Sequence, residues 1–346
     1  MAKKVYVGLS GGVDSSVAAA LLRQQGYDVV GVYMKNWTQD LPGLPCPWKE
    51  DYQDAKRIAV QLDIAFEVFD FEKEYRHRVV DYMVEGFKAG ITPNPDIMCN
   101  QEIKFKLFLD TALGKGADLI ATGHYARTGN GQLLTAKDDN KDQTYFLYRV
   151  TESALKKTLY PIGGYTKPEI RILAKKLGLA TAAKKESMGI CFVGKVGIKE
   201  FLQQYVKTKP GDIVDQNGKV VGMHDGSIFY TIGQRHGLDV GGGLPYYVTG
   251  KDMKKNEVYV TNNINDQTLW RTEFVIGSLH WINEPPKKGQ KLAVRTRHRA
   301  PLEACVIDVQ GQTATIKLKS RLRALTPGQS AVIYNGIDVL GGGVII

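Results

Sequence analysis

The apolar positions of the first 125 residues fall into two alternating rhythms. Val5-Tyr6-Val7-Gly8-Leu9 is an unbroken apolar run of strand length, and residues 17–22, after seven intervening residues, read as a helix. Residues 28–34 read as a second strand. Residues 51–62 place Ala55, Ile58, Ala59 and Leu62 at helical spacing. A third strand is expected at 65–69, a helix at 72–87 and a fourth strand at 118–122. Alternation of this kind predicts an α/β fold: an N-terminal parallel sheet with helices on both faces and ligands at the carboxyl ends of its strands.

Further along the pattern changes. Gly129-Asn130-Gly131 marks a hairpin within 125–137, and 167–177 is a basic amphipathic helix. After about 195 only one short helix is expected, at 198–206. Turn signals follow at Gln216-Asn217-Gly218 and between 246–248 and 258–260. Residues 230–237 are punctuated by glycine and take no assignment, and Gly241-Gly242-Gly243 reads as a loop. From about 271 the chain is short strands with glycine turns, the pattern of a small barrel. Three domains are therefore expected: a catalytic α/β domain at 1–194, a small mixed central domain at 195–270, and a C-terminal β-barrel at 271–346.

The first strand–helix junction carries the chemistry. Ser10-Gly11-Gly12-Val13-Asp14-Ser15-Ser16 lies between them. Two glycines let the backbone bend, and the free N–H groups of a new helix face negative charge. The hydroxyls of residues 10, 15 and 16 are further candidate donors. A Walker loop would end in Gly-Lys-Ser/Thr, and a dinucleotide loop needs a third spaced glycine; neither occurs here. The stretch fits the SGGxDS signature of the PP-loop ATP pyrophosphatases. That resemblance implies an ATP site at Gly8, Leu9, Ser10, Gly11, Gly12, Val13, Asp14 and Ser15. The bland alternative is a glycine turn that merely joins strand to helix. The other strand ends offer Met34, as core or adenine contact, and Gly123-His124, with His124 as loop residue or ligand contact.

Between the third and fourth strands lies Thr92-Pro93-Asn94-Pro95-Asp96-Ile97-Met98-Cys99-Asn100. Two prolines stiffen it, and a helix is expected from Asn100. Cys99 would sit near that helix's N-terminus, which favours thiolate, while Asp96 works against it. An ordinary capping loop with a buried cysteine fits equally well. Cys191, between Ile190 and Phe192, reads from sequence as packing.

Composition narrows the class. The 346 residues carry a formal charge of +10, which suits a polyanionic partner. No apolar run is long enough for a membrane span, and no signal peptide is evident, so a cytoplasmic enzyme is expected. The four cysteines form no CxxC pair and no zinc spacing, so no resident metal is expected. More than half of the positive excess falls beyond residue 270. There Arg295, Arg297 and Arg299 alternate along one expected strand, and Lys317, Lys319, Arg321 and Arg323 along another. Each set would form one basic face, suited to a nucleic-acid backbone or simply solvated.

Taken together, these motifs resemble the tRNA-specific 2-thiouridylases. The matching stretches are Ser10 to Ser15, 92–96 with Cys99-Asn100, Ala121-Thr122-Gly123-His124-Tyr125, Lys141-Asp142-Gln143, Gly189-Ile190-Cys191-Phe192, Tyr230-Thr231-Ile232-Gly233-Gln234 and 326–331. The resemblance implies ATP-dependent adenylation at C2 of the wobble uridine in tRNAs for Lys, Glu and Gln, with Mg²⁺ accompanying the ATP. It implies sulfur transfer from a persulfide on Cys191, completed by a Cys99–Cys191 disulfide, with Asp96 at the target base. It implies tRNA contacts at Asn94, Pro95, Asp96, His124, Lys141, Asp142, Gln143, Arg297, His298, Arg299 and Gln329. Partners would be tRNA and a persulfide donor or relay protein. Two rivals remain: a PP-loop synthetase that adenylates a small-molecule carbonyl for amination, and a non-enzymatic RNA-binding protein with a degenerate nucleotide fold.

Overall fold

The computed structural model describes residues 2–40, 46–185, 197–238, 240–241 and 245–346. In chain order its first elements are β1 (Lys4–Gly8), α1 (Val13–Gln24), β2 (Asp28–Lys35), α2 (Trp48–Gln61), β3 (Ala65–Asp70) and β4 (Leu119–Ala121). A short hairpin follows, β5 (Arg127–Gly129) and β6 (Gln132–Leu134), then β7 (Thr158–Leu159) and α3 (Lys167–Lys176). The parallel sheet has the order β3-β2-β1-β4-β7. The order reverses between β1 and β4, so their carboxyl ends flank the crevice where such sheets bind ligands.

Between β3 and β4 the helical segments interlock with π-turns. Pro95–Met98, Cys99–Leu107 and Phe108–Gly114 run on as one helix, the middle piece wound as a π-helix. Asp96 and Cys99 therefore ride on a helix, not on a loose loop. Insertions of this kind recur at functional sites.

The central region is a four-stranded sheet of β8 (Gly211–Val214), β9 (Val220–His224), β10 (Tyr247–Asp252) and β11 (Glu257–Thr261), in the order β10-β11-β8-β9. The last region holds β12 (Trp270–Trp281), β13 (Lys291–Arg295), β14 (Glu303–Gln310), β15 (Thr313–Arg323), β16 (Ser330–Asn335) and β17 (Asp338–Ile345). These follow the order β12-β15-β14-β13-β16-β17, and β17 pairs back on β12, which closes the barrel. Closure brings backbones close: a Cβ on Gly341, whose φ is +138°, would lie 2.1 Å from the His280 carbonyl oxygen. Only glycine fits such a crossing.

The barrel departs from the expectation in two ways. Its strands are not all short, because β12 has 12 residues and β15 has 11. The early hairpin also belongs to it: Leu133 and Leu134 of β6 pair with Val339 and Asp338 of β17. One apolar cluster runs through all three regions. It joins Phe105, Phe108 and Tyr145 to Phe201 and Ile228, and to Val332, Tyr334 and Val339 of the barrel.

Candidate active site

The glycine turn is shaped by what it touches. Gly11 has φ +73°, and a Cβ there would sit 2.4 Å from the Asp51 carbonyl oxygen of α2. Glycine is required twice over, by conformation and by space. Gly12, in extended conformation, is the N-cap of α1 and brings no side chain of its own. The N–H groups of the first turn are thus left for a ligand. Ser10 is exposed at the mouth, while Gly8, Leu9 and Val13 are buried beneath it.

The expected hydroxyl donors mostly turn inward. Ser15 Oγ donates to the Gly12 carbonyl at 3.1 Å and accepts from Ser10 N at 3.2 Å. Ser16 Oγ donates to the same carbonyl at 2.8 Å and accepts from Thr181 at 3.0 Å. Both serines tie the turn to its helix. Ser10 alone keeps an exposed position.

Asp14, in the first turn of α1, is held by residues that sequence reasoning missed. Lys167 Nζ lies 2.8 Å from both carboxylate oxygens, and the Tyr125 hydroxyl donates at 2.9 Å. Their separations of 153 and 111 residues left no local signal, although Lys167 opens a helix singled out as basic. Gly123, after β4, packs against the same turn: a Cβ would lie 2.6 Å from Ser15 N. Met34 reaches across the end of β1, with its Cε where a Gly8 side chain would be, and also packs on the core.

At the start of the helical run over 95–114, Asn94 Oδ1 caps the helix by accepting from Ile97 N at 3.3 Å, and Pro95 takes the first helical position. Asp96 is half-buried. Burial raises its carboxyl above the ordinary range, and the Lys104 charge works in the opposite direction. Cys99 is buried in the main apolar cluster.

His124 is buried, so its ring offers little surface to a large partner. Its Nδ1 lies 2.8 Å from Thr122 Oγ1 and its Nε2 lies 3.4 Å from Lys104 Nζ. Burial first, then Lys104, hold its pKa well below the ordinary value, so the ring is neutral at pH 7. With Lys104 as donor, Nε2 is the acceptor and Nδ1 carries the proton.

The 141–143 stretch is braced from within. Asp142 is buried and accepts from Ala136 N at 2.7 Å, Thr144 N at 3.2 Å and Thr144 Oγ1 at 2.5 Å. Gln143 exchanges two bonds with Tyr125, from its backbone N and to its Oε1, each at 2.9 Å. Lys141 is half-buried, its N–H directed at Asp138.

The expected run of arginines along one strand is corrected. β13 ends at Arg295, and Arg299 sits in a turn with φ +63°. Arg297 has an exposed stem, but its Nη2 donates to Ile232 O at 3.2 Å, Ala324 O at 2.7 Å and Thr326 Oγ1 at 3.0 Å. Arg299 donates to Asn140 O at 3.1 Å. His298 packs on Phe146 with centroids 4.5 Å apart, and burial beside two arginines pushes its pKa down to about 4. Gln329 Nε2 donates to the Thr92 carbonyl. In the second basic set Lys317, Lys319, Arg321 and Arg323 are all exposed on β15, whose register against β12 shifts between Lys317 and Leu322. Cys191, with the rest of 186–196, lies outside the described residues. Among the described residues no helix is long and apolar enough to cross a membrane.

Comparison with known proteins completes the picture. Residues 3–195 match the tRNA methyl transferase HUP domain, 199–262 the tRNA methyl transferase PRC-barrel domain, and 271–345 the aminomethyltransferase beta-barrel domain. A tRNA-specific 2-thiouridylase MnmA from Methylobacillus flagellatus is 49% identical, over 100% of this chain and 99% of its own length. The protein of that name from Bacillus subtilis is 45% identical, over 99% of this chain and 94% of its own. Among solved structures, a 4-thiouridine synthetase–RNA complex with bound ATP matches at TM-score 0.39 and 20% identity. It covers 58% of this chain and 50% of that one, a likeness too distant to argue from. With relatives this similar along its whole length, the chain belongs to the tRNA-specific 2-thiouridylase MnmA family.

Proposed function

We propose that this enzyme uses ATP to activate C2 of the wobble uridine in tRNAs for Lys, Glu and Gln, and replaces that oxygen with sulfur. The observation that carries the reading is the closeness of two devices, linked by Lys104, which reaches His124 at 3.4 Å, and by Gly123, which lies against Ser15. One is the glycine turn with Gly12 as open N-cap; the other is the helix that holds Asp96 and Cys99. A uracil C2 oxygen is a poor leaving group, so sulfur insertion needs prior activation. The turn suits the substrate ATP: Gly8 to Ser15 would hold its phosphates, with Met34 and Gly123 beside them. Mg²⁺ would offset phosphate charge there.

In this reading Cys191 carries the persulfide, supplied by a donor or relay protein, and Cys99 completes sulfur release. Asp96 meets the target base as general acid or base. The exposed face of β15 and the 141–143 and 297–299 stretches face the tRNA. The division into catalytic, central and tRNA-binding barrel regions belongs to the same proposal.

The test is turnover of ATP to AMP and pyrophosphate with bulk tRNA, with and without a persulfide donor, alongside detection of 2-thiouridine. Product that needs both ATP and the persulfide donor is expected. AMP release without any change in tRNA, persisting when Cys99 and Cys191 are both serine, would favour a small-molecule synthetase instead.

A further inference from the structure

The helix at 95–114 presents Asp96, Asn100 and Lys104 at intervals of four residues, on one face. Asn100 donates through Nδ2 to the Phe146 carbonyl at 3.0 Å, which anchors that face to the neighbouring chain segment. Lys104, one turn further, is half-buried and reaches His124. His124 follows Gly123, which lies against Asp14 and Ser15. Lys104 therefore stands where the Asp96 helix and the nucleotide turn meet.

Its electrostatic situation is unusual for this site. Three comparably enclosed lysines nearby each meet a carboxylate: Lys35 with Asp70 and Glu72, Lys167 with Asp14, and Lys184 with Asp51 and Asp54. Among the described residues Lys104 has no carboxylate within ion-pair distance. Its nearest polar partner is a neutral imidazole, which accepts one of its three N–H donors and aims the rest. The one carboxylate that feels its charge, Asp96, stands beyond ion-pair distance, so this half-enclosed ammonium beside the glycine turn has donors left to meet an anion.

Resting on the nucleotide reading above, we infer that Lys104 binds the nucleotide phosphate nearest the nucleoside, with His124 as its positioning residue, while the glycine turn holds the outer two phosphates. The division of labour is specific. Pyrophosphate alone would engage the turn and leave Lys104 idle; ATP would engage both.

Calorimetric binding of ATP and of inorganic pyrophosphate to wild type, Lys104→Met and Lys104→Arg tests this. In Lys104→Met, ATP affinity should fall about tenfold, the weight of one charge-assisted hydrogen bond. Pyrophosphate affinity should stay within about twofold. Lys104→Arg keeps the charge and should recover most of the loss. The His124 ring titration, followed by NMR, should move up in Lys104→Met as the nearby cation disappears, which reports the Lys104–His124 approach without any turnover. Unchanged ATP affinity in a folded Lys104→Met overturns the inference, and so does an equal loss for ATP and pyrophosphate. If Lys104→Met melts early, failure of Lys104→Arg to bind ATP better than Lys104→Met has the same force. Wild type that binds neither ligand removes the nucleotide reading and this inference together.

Discussion

Gln329 Nε2 donates to the Thr92 carbonyl oxygen at 2.8 Å, across 237 residues of sequence. Thr92 N returns a bond to Pro327 O at 2.9 Å, and Thr92 Oγ1 lies 3.2 Å from Thr231 Oγ1. The loop that leads to Asp96 and Cys99 is thus tied to the barrel and to the 230–237 segment of the central region at one residue. Gln329→Ala removes one tie, worth about 1 kcal/mol as a net hydrogen bond. Thiolation should slow by several-fold while ATP affinity holds, because only the Asp96 side of the crevice loosens. Equal loss of ATP affinity, by calorimetry, would count against this division.

The Asp14–Lys167 pair should be worth more than a surface ion pair. Both side chains are largely enclosed, with exposures of 30% and 11%. Lys167→Met leaves the carboxylate with the Tyr125 hydroxyl alone. The expected cost lies between the roughly 1 kcal/mol of an exposed pair and the roughly 3–5 kcal/mol of a broken buried one. A double-mutant cycle with Asp14→Asn, read by urea unfolding, should show strong coupling. ATP binding should weaken in both single variants.

Basic residues of the barrel should separate into two classes. Lys319→Ala should lower the salt slope of tRNA binding by about one unit, for the phosphate no longer neutralised, with the melting temperature unchanged. Arg297→Ala should in addition cost stability. Its guanidinium joins Ile232 to Ala324 and Thr326, so stability should fall by about 1.5–3 kcal/mol. Filter binding across a salt series, with melting curves, distinguishes the two.

Cysteine reactivity should be unequal. Burial pushes the Cys305 thiol up to about 11 and raises Cys46 as well. Labelling of Cys305 at pH 8 should therefore be slow and rise about tenfold per pH unit below its pKa. A Cys99–Cys191 disulfide should appear after one turnover without reductant. Peptide mapping that found Cys46 or Cys305 in that bond would reject the proposed pair.

Asp96 should shape the acid side of the pH profile. Burial raises its carboxyl and Lys104 lowers it, so the acid limb of thiolation should lie above the ordinary aspartate range and move further up in Lys104→Met. The linkage sign is opposite to that of a salt-bridged acid. A folded pKa above the unfolded one means stability that is present at lower pH and declines as pH rises through it. Asp96→Asn should abolish that decline, as measured by urea midpoints across the acid range.

What the sequence made legible was local. β1, the glycine turn and α1 are contiguous, so an apolar run followed by Ser10-Gly11-Gly12 suffices to place them. The exposure of the β15 basic residues was legible for the same reason, since they lie along a real strand, although its register against β12 shifts between Lys317 and Leu322. Period-two alternation misled at 297 and 299, where β13 has already ended and the apparent alternation continues through a turn. The inward turn of Ser15 and Ser16, the grip of Lys167 on Asp14 and the bracing of Asp142 all depend on partners or packing that no window contains. Lys104 carried a faint signal, its spacing of four and eight from Asn100 and Asp96. That signal gains meaning only once His124 is known to stand opposite.

The pairing of β6 with β17 also bears on how the molecule is made. The hairpin at 127–134 leaves the ribosome about 200 residues before its partner strand, β17. At 5–20 residues per second, that is about 10–40 s of synthesis. During that time the β6 edge and the Leu133 face of the early core are uncovered, and open strand edges recruit wrong partners. That one late strand, β17, closes both the barrel and the hairpin's edge. A chain truncated before Asp338 would lose more than its own last strand: it would leave the first domain unfinished and a natural target for chaperones.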